Sequence, residues 1–589
     1  MRLLTYISDS VRVLFVLALT ITVLSCAKDD PADPGPVHPT PLLDSLSSIV
    51  LSPGDTLLII GENFLPVLSS NRVRFANSLA SVAPFFATED TLIVRVPQWA
   101  ATGPLQVTTS GSTSSPVTVE IVRGIGDVWV IGGAKSYSFK LPDTGNESYL
   151  FIPHSVSTSG GSNSGYQITP QTTSSYPTPL MAERGKGTVT LPEAFEISIR
   201  QQFIEHVQSK SGQVSPIAKA APVTTPAAQA TFNVLKCTNC STGDPASYAT
   251  VNASLVYTGA NVLIYADDNM PSGGFSPTDY NDLGSQFDVQ TFPTDTTHFG
   301  PPTDIDSNGR ILVLFTPVVN DLTPPGTAGS GFISGFFLVN DLAPNIFTTA
   351  NSAEIFYSMV PDPNNEHGNT FSTNTVKQIM PATLAHEFEH MISFGYRFIV
   401  AGNGTSFSHT QQTWLEEGMA HMAEDLNGFT SSNQNRLNLY LIDPGNVSLF
   451  GSDTLEQRGG IFLFLRYLTD QLGEGVLKPM TRSICQGRAC VQSVSGEDFF
   501  VTVADFLATL FLDGTGVTLN PRYNYTSNVN LNVLATAIAS RSVSDGAFSS
   551  SVRGASGDFV EMDGIQSPAT NFSVSNSSGN VRVLVVRTR

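Results

Sequence analysis

The chain has 589 residues, and its 30 basic and 50 acidic side chains give a formal net charge of −20. That balance argues against a phosphate-binding surface and so against nucleic acid as a partner. Only 14% of residues are charged while Gly, Pro, Ser and Thr abound, a composition typical of β-rich exported proteins, and the length predicts three or four domains.

Residues 1–25 place Arg2 and Arg12 before an apolar run from Val13 to Leu24. The run is too short to span a bilayer and has the layout of an export signal. Val23-Leu24-Ser25-Cys26 resembles a bacterial lipobox. The resemblance implies cleavage before Cys26 and a lipid on that cysteine; with Ala27 following, it implies anchorage at the outer membrane or cell surface. The other reading is a secreted protein in which Cys26 is incidental. Residues 26–41 are rich in Pro and Asp with almost nothing to bury, and read as an extended tether.

Residues 42–122 alternate short β-branched runs with turn signals: Thr56 to Ile60, Val73 to Phe75, Leu92 to Val96, Leu105 to Val107 and Val117 to Ile121. The pattern predicts a small β-sandwich. LSPGDTLLIIGENF, TEDTLIVRVP and GPLQVTTSGSTSSPVTVEI resemble the immunoglobulin-like IPT/TIG module, which implies a spacer or adhesion role. Residues 123–229 continue in β style, then give an apolar spacing of four at Phe195, Ile199 and Phe203 after Pro192. That spacing predicts a helix over 191–209, belonging either to an inhibitory pro-segment or to a domain junction.

A third region is expected over 230–589, with buried strands at Val262 to Tyr265 and Ile311 to Phe315. Between them Asp304, Asp306 and Asn308 begin like a calcium loop. Position twelve of such a loop would be Phe315 and not glutamate, which excludes an EF-hand and leaves a partial Ca2+ site or a tight polar turn. Cys237 with Cys240 and Cys485 with Cys490 read as two local disulfides, in keeping with export.

The chemistry concentrates in Thr383 to Asn427. His386-Glu387-Phe388-Glu389-His390 puts two imidazoles four apart on one helix face, where both can reach a zinc ion. Leu384, Phe388, Met391 and Ile392 recur at helical spacing and would seat that helix in the core. Glu387 would face the open coordination position and act as general base for a metal-bound water. A third ligand is required, and the predicted helix from Trp414, stopped by Asn427-Gly428, offers Glu416, Glu417, His421 and Glu424. Glu416 points about 100° away from Glu417, while His421 is one turn further on.

HEFEHMISF followed by WLEEGMAHMAEDL is similar to the gluzincin metallopeptidases, and within them to the hyicolysin-type family. The resemblance implies a multidomain protein with N-terminal β-sandwiches before an α+β zincin-type domain. It also implies a Zn2+ cofactor held by His386, His390 and Glu417, with Glu424 orienting a ligand histidine. Glu389 is then expected to be solvated. GGIFLFLRYLTDQL, from Gly459, resembles the helix that follows in the family, and Tyr467 or Arg466, with Tyr440 as a further candidate, would stabilise the oxyanion. The expected activity is that of a zinc endopeptidase cleaving extracellular protein or peptide substrates. The Gly-x-Met-Glu-Asn string of related aminopeptidases does not occur. The rival reading is a non-catalytic surface adhesin or binding protein on a relic protease fold.

Overall fold

The computed structural model describes residues 39–76, 81–97, 100–141, 147–170, 187, 189–210, 214–217, 220, 225–406, 409–451, 453–527, 538, 540–542, 548–562 and 571–589. The expected signal, Cys26 and most of the tether lie outside them. The chain divides into two compact units, Met1–Val122 and Arg123–Arg589.

The first unit is a β-sandwich. One sheet orders Leu42–Leu46, Thr56–Glu62, Thr91–Arg95 and Phe86–Ala87; a second orders Val50–Leu51, Val117–Ile121, Ala101–Thr109 and Asn71–Ala76. Along Thr56–Glu62 the side chains alternate, with Leu57 and Ile59 fully buried and Thr56 and Ile60 exposed. That period of two follows from a pleated strand with one face on a core and one in water.

The second unit joins a sandwich to a larger mixed body. Val128–Gly132 and Tyr149–Ser155 flank Val581–Arg587 in a five-stranded sheet, and Ser136–Lys140 and Asn163–Pro170 flank Asn571–Asn576 in a four-stranded one. The expected β-rich segment after residue 123 is therefore completed by the C-terminus. No division of the fold falls at 229/230, because the five-stranded sheet is buried on both faces. Phe151, Val583 and Val585 enter the sandwich core, whereas Leu150, Leu584 and Val586 enter the core of the mixed body.

The mixed body is built on six strands: β1 (Gln229–Leu235), β2 (Tyr248–Thr258), β3 (Val262–Asp267), β4 (Ile311–Phe315), β5 (Gly335–Phe337) and β6 (Ile355–Ser358), in the order β1-β2-β3-β4-β6-β5. β3, β4 and β6 run parallel, while β5 is an antiparallel edge strand. β3 and β4 are continuous apolar runs because both faces are covered.

Five helices matter for the site: α1 (Leu191–Ser209), α2 (Thr373–Phe394), α3 (Thr413–Leu426), α4 (Ser431–Ile442) and α5 (Leu455–Leu472). α1 has Pro192 in its first turn, and the Glu193 carboxylate accepts a hydrogen bond from the Thr190 N–H at 3.1 Å. Its Phe195, Ile199 and Phe203 are buried. Phe388 anchors α2 among Phe287, Phe292 and Phe356, at centroid distances of 5.3, 5.5 and 6.2 Å. α3 stops at Asn427, with Gly428 at φ +78°. α5 begins four residues before Gly459 because the Thr454 hydroxyl caps it, accepting from the Gln457 N–H. The two expected disulfides are formed, Cys237 to Cys240 and Cys485 to Cys490. Among the described residues no helix is long and apolar enough to cross a membrane.

Candidate metal centre

Helix α2 is buried on every side from Leu384 to Phe394, so its histidines are held by packing as well as by the helix itself. The rings of His386 and His390 lie 4.8 Å apart. α3 brings Glu417 between them: Oε2 is 3.5 Å from His386 Nε2 and Oε1 is 3.6 Å from His390 Nε2. One atom from each residue falls within 4.8 Å of the other two. Donors about 2.0 to 2.1 Å from one tetrahedral ion would stand about 3.3 Å apart, so the cluster matches a small divalent cation. His386 Nε2 is buried without a hydrogen-bond partner, which is costly unless a cation completes it. The residues present therefore fit a metal.

Acidic and basic neighbours act on the cluster together. Against the opposing effect of burial, Glu417 and Glu424 raise His386 to about 9. Burial likewise opposes a charged Glu417, yet Arg458, Arg200 and His390 hold it well below the usual carboxylate range. Burial pushes Glu387 up to about 7, with the two histidines acting the other way. Its Oε2 accepts the Phe337 N–H at 2.9 Å, which ties the residue to the edge strand β5.

Glu424 supports the cluster from behind. Its Oε1 lies 2.8 Å from His386 Nδ1 and 2.8 Å from His421 Nδ1, and Arg436 stands 3.4 Å from Oε2. A proton on Nδ1 of His386 fixes the tautomer that leaves Nε2 free to bind a metal. His421 is fully buried, and burial pushes it down to about 3, so it is neutral. It packs 4.9 Å from the His386 ring.

Several expectations are corrected by the tertiary structure. Glu389 is fully buried and both its carboxylate oxygens lack hydrogen-bond partners, because α2 has no solvent face at that turn. Its Oε2 is 3.5 Å from His390 Nδ1, and Glu416 Oε1 is 3.7 Å from the same atom. Arg466 is engaged elsewhere, with Asp425, Asp470 and Glu474. Tyr467 is buried between Phe506 and Tyr525, and Tyr440 stacks on Phe506. The partners of Arg466 and Tyr467 on α5 and of Tyr440 on α4 thus lie away from the histidine cluster. The oxygens of Asp304, Asp306 and Asn308 accept the N–H groups of Gly309, Asn308 and Arg310. That satisfies a tight polar turn without an ion.

Three residues at the cluster were not legible in the sequence. Arg458 in the first turn of α5 is 3.1 Å from Glu417 Oε2 and also pairs with Asp453 and Glu196. Arg200 on α1 donates to Glu417 Oε1 at 2.7 Å and approaches His390 Nε2 at 3.3 Å. Glu196, one turn earlier on α1, lies within 4.8 Å of His386 and Glu387. In sequence, Glu196 and Arg200 resemble an ordinary surface pair at i and i+4, and only the placement of α1 on the cluster gives them another role.

Residues 41–121 match the IPT/TIG domain family. The chain is 26% identical over 205 residues to neutral metalloprotease ShpI of Staphylococcus hyicus, a match covering 32% of this chain and 41% of that protein's length. Among solved structures, a protein of unknown function from Bacteroides thetaiotaomicron is 15% identical, covering 19% of this chain and 31% of that one at a TM-score of 0.14. An auxiliary nutrient binding protein from the same organism is 14% identical, covering 20% and 23% at a TM-score of 0.14. The protein is thus multidomain, with an immunoglobulin-like module, further β-sheets and a helical C-terminal region, and it is similar over part of its length to a metalloprotease.

Proposed function

We propose that the protein is an exported, surface-anchored zinc endopeptidase of the gluzincin type. The observation that carries this reading is the convergence of His386, His390 and Glu417 into one buried cluster, with Glu387 on the same helix turn. The partial similarity to neutral metalloprotease ShpI supports it. Zinc, when bound, supplies an activated water and polarises the scissile carbonyl. His386, His390 and Glu417 hold the ion, and Glu424 holds His386 in the right tautomer. Glu387, fixed by the Phe337 N–H, takes the proton from the water and passes it to the leaving amine. β5 is an antiparallel edge strand directly beside Glu387, a template on which an extended peptide can lie by strand addition. Arg458, paired with Glu417, Asp453 and Glu196, keeps the Glu417 ligand charged. A lipid on Cys26 anchors the chain, and its substrates are proteins outside the cell.

The deciding experiment measures zinc content and casein cleavage in the wild type and in Glu387→Gln. The expected outcome is one zinc per chain in both, with cleavage reduced by at least a thousandfold in the variant. Zinc without cleavage in the wild type and in Arg200→Met alike would favour a binding protein on a protease fold.

A further inference from the structure

α1 packs directly against the cluster and against β5. Its Phe195 meets Phe336 of β5 edge-on at 5.1 Å, and Glu196, Ile199 and Arg200 share one cavity with Phe337, Glu387 and His390. The neutral imidazole nitrogen of a metal ligand has a single lone pair. An Arg200 N–H directed at His390 Nε2 uses that lone pair, and the second arm of the same guanidinium takes Glu417 Oε1. A divalent cation needs both atoms. Arg200 is 12% exposed and Glu417 fully buried, so their attraction, and the repulsion of any second cation, are little screened. Glu196 stands within 4.8 Å of His386 and Glu387, over the place where a water would have to approach the general base.

We infer that α1 is a self-docked plug of the cleft, in which Arg200 competes with the metal for Glu417 and His390 while Glu196 covers Glu387. The inference rests on the metallopeptidase reading above and adds its regulation: metal loading and substrate entry both require α1 to move. α1 is held by the burial of Phe195, Ile199 and Phe203 and by side-chain bonds, Gln202 with Cys240 and Thr242 and Glu196 with Arg458, and by no backbone ladder.

The test uses the full chain stripped of metal, titrated with zinc against a chromogenic chelator, with amide exchange followed over α1. Arg200→Met is expected to bind zinc at least tenfold more tightly than the wild type. Zinc is expected to speed exchange at residues 195–207 of the wild type and to leave it unchanged in Glu417→Gln. Equal or weaker zinc binding by Arg200→Met, or no change in exchange on loading, overturns the plug while leaving the metal reading in place. Should Arg200→Met fail to fold, Arg200→Lys serves, because one ammonium cannot bridge both atoms. Its affinity is expected to exceed that of the wild type, and equality overturns the plug. Failure of the wild type and the Arg200 variants alike to bind zinc overturns the metal reading, and the plug with it.

Discussion

Oε1 of Glu424 sits 2.8 Å from Nδ1 of His386, although 38 positions separate the two residues in the chain. The same oxygen receives His421, so one carboxylate sets the ring orientation of both histidines. Replacing Glu424 by Ala frees the His386 ring and removes the carboxylate beside Arg436. Zinc affinity, measured by competition with a chelator, is expected to fall about 10- to 100-fold. Undiminished affinity would show that packing alone orients His386.

Arg458 is 2% exposed and compensates Asp453, Glu196 and Glu417 together. Arg458→Met leaves those acids facing one another in the interior. Loss of one partner from a buried ion pair costs about 3 to 5 kcal/mol. A corresponding drop in the urea midpoint is the expected result, and restoration by Asp453→Asn in the same chain would identify the uncompensated charge as the cause.

Gly459 lets α5 approach the middle of α4: a Cβ there would lie 2.1 Å from the carbonyl oxygen of Arg436. Neither backbone can yield without moving a helix. Gly459→Ala is expected to destabilise the unit by about 3 kcal/mol, read as a lowered denaturant midpoint. By contrast Gly475, whose added Cβ would meet nothing within 4 Å, tolerates Ala.

Glu354 is 1% exposed, and burial pushes it up to about 7. Its ordinary value is 4.5, so between those pH values the folded chain keeps a proton that the unfolded chain has released. Stability from this group therefore falls as pH rises from 4.5 to about 7 and is level above that. Glu354→Gln cannot ionise, and its amide oxygen can still accept the Ile305 N–H that Glu354 now accepts. The stability difference between variant and wild type should grow by on the order of 2 to 3 kcal/mol across that window. A difference independent of pH would mean that Glu354 titrates normally.

The sequence by itself determined the local order of this protein. Alternation along Thr56–Glu62 marks a half-buried strand, spacing of four in α1 marks a helix, and the spacing of His386 and His390 puts them on one helix face. These features depend on the repeat of the backbone, which residues a few positions apart already encode. Glu417 and Glu424 were placed through resemblance, because a spacing within α3 says nothing about which face α3 turns to α2.

The tertiary structure decided everything that depends on distant segments meeting. The apolar run Val581 to Val586 reads as a strand closing against an earlier sheet, but only the fold shows that it pairs with Val128–Gly132 and Tyr149–Ser155. Glu389 is buried because the helix bearing it has no wet side, a property of its neighbours and not of its own pattern. Arg458 and Arg200 reach Glu417 across 41 and 217 residues of chain. Charges act through space, so which arginine neutralises which carboxylate is settled only once packing has fixed the distances.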